Sequence, residues 1–590
     1  MTTIFPPKTA KQLVRAYEKY GSLKAIARAT GGNREKIRNL YHQAMAEGMM
    51  ESIKLGGKTS NHMKAAVAGQ LRVSKPKVRG RRKALKAKVI ERDPDKVTRF
   101  LFTCAQNNTK LHEGLWTNLQ KLAGFYKAKI HVSRFAYVRA GWGARGDKKD
   151  YFAARNTGDR IVEDFWFDQR IEPYVSDDRL EVAPGLVWCG EANITPTAAR
   201  PLSGLETFTG RRSGIFPHVK LAMESIPSSE HDPVKFNYTT GTITQRNYIQ
   251  RKEGLKAEFH HCYGALLVEV DPDGNWWCRQ LNADSEGTLY DIDIMVKNGE
   301  ITTNNPKFQK RAEHFVDTTF VEGVKWGDIH VAQMDQKVRE AIWGEGGILD
   351  HLRAKHQFFD DLFDMYARNH HEMDDPHTML QRYVTRSDDV GVEGVEAVRF
   401  LGEAYREWAK SVIVNSNHDR AIIRWLKDRR GQMDPVNMDL WHRLNSRVTQ
   451  HIHLTGEAPI ILRELMLEVM GWKKEPKGWT FLAQGDTYVI CPSFGGGVDN
   501  GQHGDDGANG ARGSTAGFAK IGRKMNKGHD HRATIYDSVY SSGCCLDLKN
   551  PPKYMRGPSS ASNSHILTYL NGKRTILTQW GEDRAAWAAR

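Results

Sequence analysis

Val412-Ile413-Val414-Asn415-Ser416-Asn417-His418-Asp419-Arg420 joins a short β-branched run to a turn that holds an amide, an imidazole, a carboxylate and a guanidinium in succession. A strand that stops at such a turn is how an α/β sheet presents chemistry at the carboxyl ends of its strands. The arrangement recurs upstream, where the apolar stretch 320–326 runs into Gly327-Asp328-Ile329-His330 and His356-Gln357-Phe358-Phe359 runs into Asp360-Asp361-Leu362-Phe363-Asp364. It recurs downstream, in His503-Gly504-Asp505-Asp506 after a strand expected over 487–491 and in Lys527-Gly528-His529-Asp530-His531 before a strand expected over 533–536. One histidine among 23 is ordinarily structural or solvated. Five polar turns, each at a strand edge, are a different matter: carboxylate, amide oxygen and imidazole together suit divalent transition metals, and an aspartate between two cations can bridge them.

Taken in order, Asp328-x-His330, Asp361-x-x-Asp364, Asn417-His418-Asp419, His503 and Gly528-His529-x-His531 resemble the signature of the calcineurin-like metallophosphoesterase superfamily, over residues 320–545. The resemblance implies an α/β sandwich with two divalent ions, Mn²⁺ first, with Mg²⁺, Fe²⁺ or Zn²⁺ as alternatives. Asp328, His330, Asp361 and His531 would hold one metal, and Asp361, Asn417, His503 and His529 the other. His418 would protonate the leaving oxygen, and Asp364 and Asp419 would orient the ligands. Three departures stand out: Asp360 and Ser416 occupy positions where the pattern has Gly, and 85 residues intervene between Asn417 and His503. The last leaves His451 and His453, inside a helical insertion expected over 421–470, as a rival pair for that ligand.

A chain of 590 residues has room for several domains. No apolar run approaches the ~20 residues of a membrane span, and the first residues lack a signal peptide's apolar core, so no membrane partner and a cytoplasmic location are expected. Seven cysteines with no Cys-x-x-Cys imply neither a disulfide framework nor a zinc ribbon. Residues 1–100 carry 24 Lys and Arg against 7 Asp and Glu, which exceeds the +16 of the whole chain. A basic attachment module for a polyanion, joined to a near-neutral body, is the expectation.

That module reads as three short helices over residues 8–48, with a turn at Thr30-Gly31-Gly32, and resembles a helix-turn-helix. Asn33, Arg34, Lys36 and Arg38 would then face the DNA groove; the alternative is a small bundle for protein contacts. Residues 1–60 are assigned to it and 61–95 to a basic linker. In the linker, Lys75–Lys88 has eight cations in fourteen residues, among them Arg79, Arg81, Arg82 and Lys83. Such a run grips phosphate without sequence preference, or serves as a solvated tether. Residues 96–305 read as a second α/β domain whose role the residues do not declare, and 306–590 as the metallophosphoesterase domain. Within the latter, Val395, Val398, Leu401, Tyr405 and Trp408 recur at helical spacing and predict core packing. The Gly-rich stretch 504–517 would bring Arg512 to a phosphate.

The expected fold class is therefore α/β multidomain: an N-terminal helix-turn-helix, a middle α/β domain and a C-terminal metallophosphoesterase sandwich. The expected function is a metal-dependent DNA nuclease. A further similarity, to phage-encoded metallophosphoesterases that include DNA-transfer proteins degrading host DNA, would add a phage source and the host cytoplasm as the setting. The alternatives are a phosphatase for small nucleotides or phosphoproteins, and a DNA-binding or transfer protein with an inactive metal site. The helical insertion is suited to shaping a groove or joining copies into a homo-oligomer.

Overall fold

The computed structural model describes residues 7–20, 23–31, 33–46, 87–137, 166–229, 232–580 and 586–589. It divides into two compact units, Met1–Ala84 and Leu85–Arg590. In the first, helices Ala10–Tyr20, Leu23–Thr30 and Arg34–Ala46 pack around Leu13, Ile26, Ile37 and Tyr41. The second helix ends where Thr30 Oγ1 bonds the Ile26 carbonyl at 2.7 Å and Gly31 takes φ +64°. A side chain would be strained there. Asn33 caps the third helix by accepting from the Lys36 N–H, and Lys36 and Arg38 are exposed. The Arg34 side chain and Arg79, Arg81, Arg82 and Lys83 lie outside the described residues.

In the larger unit, a six-stranded sheet is ordered Trp479–Phe481, Lys410–Ile413, His356–Phe359, Val321–Lys325, Ser564–Tyr569, Arg574–Thr578. The first four strands are parallel, with Phe358 opposite Val412, and the last two form a hairpin around Asn571-Gly572. Side chains alternate between faces, as the pleat requires. Phe359 and Ile413 pack on one side with Phe400, Leu401 and Leu465 from the helices Val390–Ala404 and Ile461–Met470. Phe358 and Val412 pack on the other with Ile490 and Val498 of a second sheet.

That second sheet has eleven strands and draws on distant parts of the chain. The strand Met223–Ile226 pairs with Thr534–Tyr536, Ile535 standing opposite Met223, so residues on either side of position 305 share one sheet. A four-stranded sheet holds a β-α-β unit: Thr98–Gln106 and Lys129–Phe135 are parallel and joined by the helix Glu113–Tyr126.

The insertion 421–470 is helical as expected. Two expectations need correction. The helix before Lys410 ends at Ala404, so Tyr405 and Trp408 fall beyond it and are 39% and 43% exposed instead of buried. The strand expected over 487–491 shrinks to Val489–Ile490, because Cys491 takes φ 53° and breaks the extended path.

Trp326 is fully buried, donates to Gln357 Oε1 at 3.1 Å and packs edge-on against Trp343 and His565. Trp326→Ala should destabilise the larger unit by about 3–5 kcal/mol. An unchanged urea midpoint would show that this layer contributes little.

Candidate metal centre

Three parallel strands deliver the first group of side chains. Past their carboxyl ends the loops are tied edge to edge: Ile329 N donates to Asp360 O at 2.9 Å, His330 N to Asp361 O at 2.7 Å, and Val414 N to Phe359 O at 2.9 Å. Two loops of the eleven-stranded sheet close over them, joined to each other by Gly528 N donating to His503 O at 2.8 Å. Asp328, His330, Asp361 and His531 thereby converge, with one ligand atom from each lying within 4.8 Å of the others. His330 Nε2 is 3.0 Å from His531 Nε2, and His531 Nε2 is 3.3 Å from Asp328 Oδ2. The second group meets the first at Asp361. Its Oδ2 is 3.7 Å from His330 Nε2 and 3.3 Å from His503 Nε2, and the latter is 3.0 Å from Asn417 Oδ1.

Asp328 Oδ1 and Asp361 Oδ1 are buried and accept no hydrogen bond among the described residues. Buried carboxylate oxygens without donors, facing imidazole nitrogens, are what a divalent cation would satisfy. The backbone is bent to the purpose. His330, Asp361, His529 and His531 take φ of 51°, 47°, 74° and 54°, a left-handed region that costs a non-glycine residue on the order of 1 kcal/mol or more.

Outside these groups, Asp364 Oδ1 is 2.5 Å from His330 Nδ1 and 3.3 Å from His418 Nδ1, tying a candidate ligand to the proposed acid. Asp419 accepts from the Phe363 N–H at 2.9 Å and from Ser416 Oγ at 2.8 Å, so the serine that departs from the motif has a partner. His529 is half-buried, with its ring edge-on to His503 and its backbone N–H donated to Asp328 Oδ2 at 2.7 Å. His451 and His453 sit on the outer part of the helix Met438–Thr455, whereas His503 reaches the cluster. Arg512 is exposed on its loop. Instead, Arg420 spans the gap, bonding Asn415 Oδ1 at 2.9 Å and pairing with Asp505 and Asp506.

Sequence reasoning passed over Asp360. It is fully buried, pairs with Lys325 Nζ at 2.6 Å and lies 3.4 Å from His503 Nδ1. The signal was a lysine at the end of an apolar strand, which is seldom buried unless paired.

Protein A1 of Escherichia phage T5 is 34% identical to this chain over 491 residues, covering 81% of each. The chain belongs to the Protein A1 family. No family model and no solved structure matches it.

In this Protein A1 family member, burial opposes charge throughout the cluster and close neighbours decide the outcome. Burial pushes Asp328 up to about 7. Asp361 resists burial because His503 and then His418 hold its carboxyl well below the usual carboxylate range. Burial likewise disfavours the charged form of His503, yet Asp361 raises its pKa well above normal. His330 is raised against burial by Asp364 and Asp361. Burial, followed by the charge of His503, takes His529 down to about 4; burial and then His330 take His531 well below its ordinary value.

Two outcomes follow from these arrangements. A divalent ion must displace protons from His330 and His503, whose pKa values are raised, so affinity should fall as pH falls, with proton release on binding. Mn²⁺ titration at pH 8 and pH 6 should show weaker binding at the lower value; equal affinity would remove these histidines as ligands. Separately, a Cβ on Gly528 would lie 2.1 Å from Asp328 Oδ1 and 3.3 Å from His503 Nδ1. Gly528→Ala should lose metal binding at least tenfold while keeping its circular dichroism spectrum.

Proposed function

We propose that the chain is a calcineurin-like metallophosphoesterase that hydrolyses phosphodiesters in DNA. The observation that carries the reading is Asp361, whose Oδ2 lies 3.7 Å from His330 Nε2 and 3.3 Å from His503 Nε2. A carboxylate so placed is suited to bridging two cations, with Asp328, His330 and His531 completing one donor set and Asn417 and His503 the other; His529 stands beside the second. Divalent ions held there would supply Lewis acidity to the phosphate oxygens and a nucleophilic water near neutral pH.

The chain's own groups account for the remaining needs. Asp364 orients His330 and His418 together. Against burial, Asp361 and then Asp364 push the His418 pKa up to about 9, so it carries a proton at neutral pH that it can pass to a leaving oxygen. Asp419, buried behind the turn, fixes the loop bearing Phe363.

DNA as the substrate is supported by charge. The first hundred residues hold 24 cations against 7 acids, which a phosphatase for small substrates would not need. In this reading the exposed Lys36 and Arg38 contact phosphate or base edges from a helix-turn-helix, and Asn33 serves the helix cap first. The relative in a phage supports a phage-encoded nuclease acting inside the host.

Incubating the chain with linear and circular DNA, with and without Mn²⁺, tests the reading directly. Cleavage should require the metal and vanish in Asp361→Ala. Intact DNA in the presence of bound metal would leave a DNA-binding protein with a silent centre. His418→Asn should slow DNA cleavage by ~10²–10⁴-fold and affect a nitrophenyl phosphodiester less, because nitrophenolate departs without a proton. Residues 85–590 form a compact unit, so removing 1–84 should weaken DNA binding and its salt dependence while sparing hydrolysis of the nitrophenyl ester. Equal DNA affinity at every salt concentration would exclude the basic segment as the attachment module.

A further inference from the structure

A second charged site lies where the two halves of the larger unit meet. A recess of about 270 Å³ is lined by Lys220 and the 259–262 segment from one half and by Lys524, Asp537 and the hairpin turn 571–574 from the other. Lys220, Lys524, Lys573 and Arg574 face it, against the single carboxylate of Asp537. That carboxylate is already engaged, by Lys220 and by His260 at 3.3 Å.

Arg574 is 6% exposed, yet its guanidinium bonds only neutral acceptors: the Met525 carbonyl at 2.8 Å, Asn526 Oδ1 at 2.9 Å and the Ser538 carbonyl at 2.9 Å. Its Cζ lies 3.9 Å from the Tyr540 ring centre. Lys524 Nζ is likewise satisfied by a carbonyl, that of Phe494 at 2.9 Å. A buried charge without a counter-ion is expensive. Burial lowers the Arg574 pKa to about 10, and Lys524 is lowered by burial, then by Arg574 and Lys573, so these cations are held against mutual repulsion. An independent observation points the same way: the Asn571 Nδ2 donor is buried and has no hydrogen-bond partner among the described residues. Excess positive charge, an idle donor and a concave wall together describe an anion site.

We propose that this recess binds a phosphate monoester, distinct from the phosphodiester at the candidate metal centre. The volume is below the ~300–1,000 Å³ of sites that enclose a whole drug-sized ligand, so it suits a phosphate with part of what it is attached to. Phe259, 83% exposed at the rim, offers a ring on which a base can stack. The strand Met525–Lys527 leads from this recess toward Gly528-His529, and Lys524 and His529 are at most about 18 Å apart along the chain.

The test uses the full chain in EDTA at low salt, so that no metal contributes. Isothermal titration is carried out with inorganic phosphate, a deoxynucleoside 5′-monophosphate, and an oligonucleotide with either a 5′-phosphate or a 5′-hydroxyl. The monophosphate should bind one per chain. Lys524→Glu and Lys573→Glu, both at partly exposed positions, should each weaken it at least tenfold, Lys573→Arg should retain it, and Asp361→Ala should leave it unchanged. Tighter binding of the nucleotide than of phosphate, lost in Phe259→Ala, would identify a free nucleotide as the source. Preference for the 5′-phosphorylated oligonucleotide, lost in the same charge reversals, would identify a DNA end. No binding of any phosphate probe at millimolar concentration, or binding unchanged by both charge reversals, overturns the proposal.

Discussion

Asp328, Asp360, Asp361 and Asp364 are each 2% exposed or less, and they are packed into one corner of the fold. Four carboxylates cannot be withdrawn from water together unless positive charge is brought to them. Everything near the corner serves that need. The strand Val321–Lys325 ends in a lysine buried against Asp360 and its own loop supplies His330, the loop after Lys410–Ile413 supplies His418, and the eleven-stranded sheet sends in His503. Part of that counter-charge, His503, comes from the second sheet, so the corner draws on both sheets.

The backbone registers the same demand. Four residues of the cluster adopt left-handed φ, and the hydrogen bonds that zip the loops together are what hold them in it. Gly528 shows how little room is left, since a methyl group there would overlap the carboxylate of Asp328. The rigidity extends to the Gly-rich segment after His503. Arg420 pairs with Asp505 and Asp506, Thr515 Oγ1 donates to Asp530 at 3.0 Å, and Gly513 N donates to Asp505 O at 2.8 Å.

What could be read from the residues alone was what is local. The alternation that places Phe358 and Phe359 on opposite faces, the hairpin around Asn571-Gly572 and the three N-terminal helices all follow from short-range spacing. Polar turns after apolar strands are a local pattern too, and four of the residues expected at the centre, Asp328, His330, Asp361 and His531, lie together. The pairing of Ile535 with Met223 leaves no trace in either segment, and the merged sheet therefore went unforeseen. Asp360 was taken as a departure from a motif because its partner, Lys325, lies 35 positions away. Trp408 was assigned to a helix face on spacing, although the helix stops at Ala404 and its ring is left partly in solvent.

The sheet shared by the two halves has a consequence for biosynthesis. Met223–Ile226 acquires one of its neighbours only when the chain has grown some three hundred residues further, to Thr534–Tyr536. At ~5–20 residues per second, roughly 15–60 s of translation pass with that edge open, long enough for an exposed strand to find a wrong partner. The histidines that complete the charged corner, His529 and His531, emerge in the same late stretch. The charged corner therefore stays incomplete until translation has passed His531.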